Sequence, residues 1–398
     1  MKLTFDESVE RFRTEFRDWL AANRPTDEEM AADPAVSSAH APAWARRWTR
    51  RMFDAGWLVP GWPPERGGRN ATPIEQLVYL EELARAGVPR TTNPQGLGII
   101  APSIRDFGDQ RQIDEFAMPV LRGERTACLG MSEPGAGSDL ASLSTRAVLD
   151  GDHFIVNGQK VWTSGANYAE FCFLFCRTDP DAPKHKGISI LLVDMKTPGI
   201  TVRPLPEIIA PLYPDLNEVF FSDVVVPAEN LVGTMNNGWA MANGSLAHER
   251  GMVWVGSVIG LEDAMDRLLA AAPEMLGALP ATERAVATDE IVRVYIDTQA
   301  ARCLGYRGFA KLMRGGSAPE QALMKAFASE SRRRLGLVAA GVEGAPGLLD
   351  RAGPARAEDS EHTWLEQYFA SFGATISAGS SEIQRNIIAE RVLGLPRS

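Results

Sequence analysis

Residues 128–142 read CLGMSEPGAGSDLAS, and how this run is understood decides the fold. Gly135 and Gly137 let backbone come close to a ligand, while Ser132 and Ser138 supply hydroxyls. A dinucleotide-binding fingerprint would need glycine at position 140, where Leu140 stands, and would open a βαβ unit, which does not follow. An ordinary turn between a helix and a strand is the alternative. The surrounding sequence separates the two.

Downstream the chain becomes strand-like. RAVLDGDHFIVNGQKVWTSGA (146–166) holds two β runs, with DGD and NGQ reading as tight turns. EFCFLFCRTD (170–179), GISILLVDM (187–195), ITVRPL (200–205) and NEVFFSDVVVP (217–227) continue at the spacing of an all-β unit. Upstream, Phe5, Val9, Phe12, Phe16 and Leu20 recur at helical intervals, with Asp6 and Glu7 in the first turn. A second helix ends in the Gly/Pro/Trp loop before Arg69, and a third starts at Pro73 and stops at Gly87 and Pro89. From about 236 the helical period returns in long stretches, 251–271, 289–315 and 320–341, and in a closing helix. The expected architecture is multidomain α+β: an N-terminal α-helical domain (1–125), a middle β-barrel or sandwich (126–235) and a C-terminal four-helix bundle (236–398).

Composition narrows the function classes. The 398 residues are 45% hydrophobic and 23% charged, the makeup of an ordinary globular chain. A net charge of −10 argues against a nucleic-acid or anionic-membrane surface. There is no uncharged apolar run of roughly 18 residues to span a membrane. The N-terminus, MKLTFDESVERFRTEF, has acids where a secretory signal needs apolar residues, so a cytoplasmic location is expected. Cys172 and Cys176 share one β run and stand about 13 Å apart along it, beyond the roughly 7 Å that a disulfide can bridge. They read as core thiols. The five histidines form no pair at ligand spacing, so no metal is expected.

With its company in place, GMSEPGAGSD (130–139) resembles the flavin- and substrate-binding loop of the acyl-CoA dehydrogenase family, G-M-S-E-P-x-A-G-S-D, and the resemblance runs from end to end of the chain. It implies an FAD cofactor, an acyl-CoA substrate, an electron-transferring flavoprotein as acceptor, and a homo- or heterotetramer. The backbone of Met131 and Ser132, with the Ser132 hydroxyl, is expected at the flavin ring. Gly137 and Ser138 are expected at the pyrophosphate, and Ser138 also at the CoA. Trp162 is expected beside the isoalloxazine, and Ser164 at its N5/O4 edge. Hydroxyls and backbone donors suit a ring on which negative charge develops.

The family's chemistry is α,β-desaturation of a thioester, and it needs a desolvated carboxylate within about 3 Å of the α-proton. Most members carry that glutamate in the C-terminal loop. Here the loop reads Ile376-Ser377-Ala378-Gly379-Ser380-Ser381, so Ala378 occupies the position. Glu382 is a poor substitute: Ser381 and Gln384 stand at capping-box spacing, which makes Glu382 the first helical residue, favoured there by the helix dipole. A minority of the family, isovaleryl-CoA dehydrogenase among them, places the base on the first C-terminal helix, in an E-R pair. Here that pair is Glu249-Arg250, followed by a helix apolar nearly all round from Met252 to Leu261. Glu249 is therefore the expected base, with Arg250 as a substrate contact, and Ala378 keeps a role through its backbone N–H. The alternative for Glu249 is a partly exposed first-turn acid.

Two segments that grip a neighbour's FAD in plain homotetramers are not matched. One region reads LPATERAVATDEIVRVY (279–295), without R-x-x-F-G. The other reads VAAGVEGAPGLLDRAG (338–353), with glycines but no leading glutamine. Such departures resemble the actinobacterial branch acting on steroid side chains and other bulky thioesters, some of whose members are heterotetramers. Rival readings are a partner subunit with a structural role, and an acyl-CoA oxidase or flavin monooxygenase on the same scaffold.

Overall fold

The computed structural model describes residues 5–209, 213–313, 320–344 and 363–396, apart from the side chains of 243–255, 312–313 and 320–321. The chain forms two compact units, one built mainly on residues up to Glu249 and the other mainly on Arg250 onward.

In the first unit, the helix Glu7–Asn23 is capped by Asp6, which accepts from the Ser8 and Val9 amides at 3.1 and 3.0 Å. It buries Val9, Phe16 and Leu20, and Phe16 lies 4.6 Å from both the Trp57 and Tyr79 rings. The helix Ala43–Asp54 adds Trp44, Trp48 and Met52 to the same core. Helix Pro73–Arg85 begins with a reciprocal capping box between Thr72 and Glu75, with Pro73 in its first turn. Short helical pieces follow between Gly96 and Leu121, two of them π turns.

Seven strands follow: β1 (Ala127–Gly130), β2 (Arg146–Asp150), β3 (His153–Lys160), β4 (Phe171–Arg177), β5 (Ile188–Asp194), β6 (Ile200–Pro204) and β7 (Asn217–Pro227). They form one curled sheet in the order β1-β4-β2-β3-β7-β6, with β5 also on β4. β2 touches β4 only at Arg146 opposite Arg177, while β4 pairs with β1 from Phe171 to Leu174 and with β5 along its whole length.

Strand β4 explains why its sequence is continuously apolar. Phe171, Phe173 and Phe175 project into the core shared with the N-terminal helices. Cys172, Leu174 and Cys176 project into a second core, with Phe154, Val156 and Phe221. Alternation is hidden because both faces are buried. The two cysteines are the buried free thiols expected of them.

One expectation is corrected. Asn157-Gly158-Gln159 is not a turn; it runs on inside β3, opposite a bulge of β7 in which Ser222 and Asp223 together face Asn157 as the pairing slips between Val156 and Gly158. Gly158 has φ +150°, and a Cβ there would meet Thr145 at 2.6 Å. The glycine signals a close approach and not a reversal.

In the second unit, the part of helix Gly238–Gly277 from Arg250 onward and the helices Ala281–Met313, Glu320–Glu343 and Trp364–Ile376 bury Leu261, Met265, Leu268, Val294, Ala301, Leu335 and Ala339. Gly336 lets its helix close on Tyr368, whose Cα stands 2.8 Å from where a Cβ would be. The order is helical, β, helical, as the sequence implied.

Candidate functional site

The chain leaves β1 at Gly130 into the loop that holds Met131, Ser132, Gly137 and Ser138, four of the six residues expected at the cofactor. Beneath this loop lies Lys160, the last residue of β3, fully buried. Its Nζ donates to the Met131 carbonyl at 3.0 Å and to Glu133 Oε1 at 2.9 Å. Glu133 is buried as well, and its carboxylate accepts from the Ser144 amide (2.7 Å), the Ser144 hydroxyl (2.8 Å) and the Thr145 amide (2.8 Å). Burial alone would raise this carboxyl, but the Lys160 charge and the surrounding donors outweigh it and hold it down to about 2. Burial draws Lys160 below its ordinary value while Glu133 opposes that pull. Neither residue was marked by the sequence reading. The available signal was period-two alternation, which puts Lys160 on the inward side with Phe154 and Val156.

Past Glu133 the loop turns back on itself. The Glu133 amide donates to the Ala136 carbonyl at 2.9 Å, and the Ala136 amide to Glu133 at 3.0 Å. A Cβ on Gly135 or Gly137 would meet nothing within 4 Å, and neither glycine has positive φ. Internal packing therefore does not require these glycines. Ser138 is exposed, and Met131 and Ser132 are half-buried.

The second segment, 160–165, is tied to the first. The Val161 amide donates to the Ser132 carbonyl at 2.9 Å. Trp162 follows with φ +59° and is 61% exposed. A bulky residue held left-handed costs about 1–3 kcal/mol and persists only where its neighbours fix it. Here they do: the Thr163 amide donates to the Asn217 carbonyl at 3.0 Å, Asn217 Nδ2 returns to the Thr163 carbonyl at 3.1 Å, and the Gly165 amide reaches Asp215 at 2.7 Å. The Thr163 hydroxyl is buried without a partner among the described residues. Met131 and Ser132 are thus bound directly to the segment bearing Trp162 and Ser164. The open glycine backbone, the displayed indole and the hydroxyls fit a flat, phosphate-bearing cofactor such as a flavin dinucleotide.

The C-terminal loop belongs to the other unit. Ala378 has φ +53° and Gly379 φ +91°. Lys325 Nζ donates to the Gly379 carbonyl at 2.7 Å, and Gln384 Nε2 reaches the Ala378 and Gly379 carbonyls at 3.3 and 3.4 Å. The cap of the following helix is Ser380, which accepts from the Ile383 amide at 3.3 Å, and not Ser381 as the capping-box spacing implied. Ser381 opens the helix itself, and its hydroxyl is drawn to Glu330 Oε1 at 2.8 Å. Glu382 is exposed and faces Arg385 at 3.6 Å. Its carboxyl is lowered first by a backbone N–H, then by the Ser380 hydroxyl, as suits an acid in a first helical turn. The Glu249 and Arg250 side chains lie outside the described residues, as does Gly347.

Family models described as the N-terminal, middle and C-terminal domains of acyl-CoA dehydrogenase match residues 6–124, 128–224 and 236–393. The chain belongs to the acyl-CoA dehydrogenase family. Acyl-CoA dehydrogenase IpdE1 of Mycobacterium tuberculosis is 37% identical over 399 residues, covering 98% of this chain and 99% of that one. Among solved structures, the "Tcur3481-Tcur3483 steroid ACAD" superposes with TM-score 0.83 at 29% identity, covering 100% of each chain. The ChsE4-ChsE5 complex from Mycobacterium tuberculosis does so at 0.79 and 29%, again over 100% of each. As an acyl-CoA dehydrogenase the chain is an oxidoreductase of the CH–CH group of acyl-CoA, from a family whose members are in general flavoproteins. Among the described residues no helix is long and apolar enough to cross a membrane.

Proposed function

We propose that this acyl-CoA dehydrogenase binds FAD on the paired segments 131–138 and 160–164 and desaturates an acyl-CoA between its α- and β-carbons. The observation that carries the reading is the Val161–Ser132 hydrogen bond: it joins the two segments that the family resemblance implies for one flavin, with Trp162 exposed beside them. When bound, FAD supplies a hydride acceptor for the substrate's β-hydrogen. Ser132, through its amide and hydroxyl, and Ser164 hold the ring edge, Trp162 covers its flank, and Gly137 and Ser138 receive the pyrophosphate, with Ser138 also serving the CoA. Glu249 takes the α-proton, leaving its electron pair to form the new double bond, and Arg250 contacts the substrate. The Ala378 amide polarises the thioester carbonyl, and its left-handed backbone, clamped by Lys325 and Gln384, gives that amide one fixed direction within its loop.

The domains implied are 1–125, 126–235 and 236–398. Electrons pass to an electron-transferring flavoprotein. Likeness to a steroid acyl-CoA dehydrogenase and to a two-component complex supports a bulky acyl group and a heteromeric assembly. The same likeness favours one second reading, a partner subunit without chemistry of its own. Anaerobic titration of the purified chain with straight, branched and steroid acyl-CoAs separates the two. Bleaching of a yellow protein by one class confirms the enzyme; a colourless, folded protein contradicts it.

A further inference from the structure

The most unusual group in the first unit is Lys160, a fully buried ammonium to which the chemistry above gives no task. Its contacts are specific. It binds the Met131 carbonyl at the start of the loop, and through Glu133 it is joined to the Ser144 and Thr145 amides at the end. The stretch so closed, 131–145, carries Ser132, Gly137 and Ser138. A peptide bond sets its C=O and the following N–H on opposite sides, and the described chain has no cis peptide. A Met131 carbonyl held inward on Lys160 therefore turns the Ser132 N–H outward. That amide finds no acceptor among the described residues.

We propose that the buried Lys160–Glu133 pair is a positioning device, which points the Ser132 amide at bound flavin and fixes the distance across the base of the flavin loop. A buried ion pair is poor as a plain stabiliser, because apolar residues of like volume often do as well. It is good at fixing direction, since each donor and acceptor demands its partner at a set angle. The pair bonds the backbone of the first proposed flavin segment at Met131, and Lys160 itself opens the second, immediately preceding the Val161 amide that holds Ser132. The inference rests on the flavin reading given above.

The test uses the full-length chain, stripped of flavin and reconstituted, as wild type, as the neutral pair Lys160→Met/Glu133→Gln and as Lys160→Arg. Three readouts are taken: apoprotein melting temperature, FAD affinity by quenching of flavin fluorescence, and the midpoint potential of the bound flavin. The neutral pair leaves no lone buried charge. It is expected to keep a cooperative melt, to bind FAD about tenfold more weakly, the scale of a lost charged hydrogen bond, and to shift the potential negative because a donor to the reduced ring is misdirected. Lys160→Arg, which can still donate to both partners, is expected to recover part of the affinity. A neutral pair with wild-type affinity and potential overturns the inference alone. So does one whose apoprotein has lost its fold, because the pair then holds the β core at large. A wild type that takes up no flavin overturns the underlying reading and this inference with it.

Discussion

The loop after β1 and the loop before the closing helix are built alike and secured differently. Each is short and glycine-bearing, each contains or is bound to a non-glycine residue in left-handed conformation (Trp162 at φ +59°, Ala378 at +53°), and each has a lysine bonded to a loop carbonyl. Lys160 is wholly buried and ion-paired to Glu133, which gathers three further donors. Lys325 holds its loop through the Gly379 carbonyl, is lowered by partial burial, and feels Glu330 only through its charge. The first loop is fixed by a closed set of charged bonds, and the second by neutral or singly charged ones. A surface that must present a cofactor in one pose suits the first arrangement.

This contrast is broken most severely at Lys160. Lys160→Met alone leaves Glu133 buried without its counter-charge, and unfolding in urea should show a loss of about 3–5 kcal/mol. A loss under about 1 kcal/mol would show that the pair is ordinary surface chemistry.

Acid sharpens the same point. Glu133 is held at about 2, below its ordinary 4.5, so its stabilising contribution is complete above 4.5 and is lost as pH falls toward 2. The shift is worth about 3 kcal/mol, of which about 2 should be gone between pH 5 and pH 3. Urea midpoints at those two pH values should therefore fall further in the wild type than in Glu133→Gln. Equal falls would show that Glu133 is not the group responsible. Smallest is the change at the second loop. Lys325→Met should cost about 1 kcal/mol, seen as faster hydrogen exchange at the amides of 378–380 with the exchange of 131–133 unchanged.

Much of this organisation could be read from the residues in order, because the relevant signals are local. Thr72, Pro73 and Glu75 start a helix by contacts within one turn. The apolar runs of β4 and β5 are long enough to mark strands without their partners. The failures are long-range. Ser380 and Ser381 are equivalent as local caps, and the choice between them is made by Glu330, 51 residues away from Ser381. Asn157-Gly158 reads as a turn until Thr145 is packed against it. The helix Gly238–Gly277 runs on through Pro273, just past the buried Leu268 and Ala272, although proline ordinarily interrupts a helix. The short turns between Gly96 and Leu121, two of them π, follow no single hydrophobic period. Lys160 and Glu133 find each other across 27 residues, so neither draws notice alone.

The central claim is that Glu249 supplies the carboxylate missing at Ala378. Its most direct test is single-turnover flavin reduction by a good acyl-CoA in Glu249→Gln, compared with wild type at equal flavin content. The rate in Glu249→Gln should be lower by roughly 10²–10⁴-fold, the usual worth of a positioned base, with flavin binding unchanged. Reduction at close to the wild-type rate would contradict it.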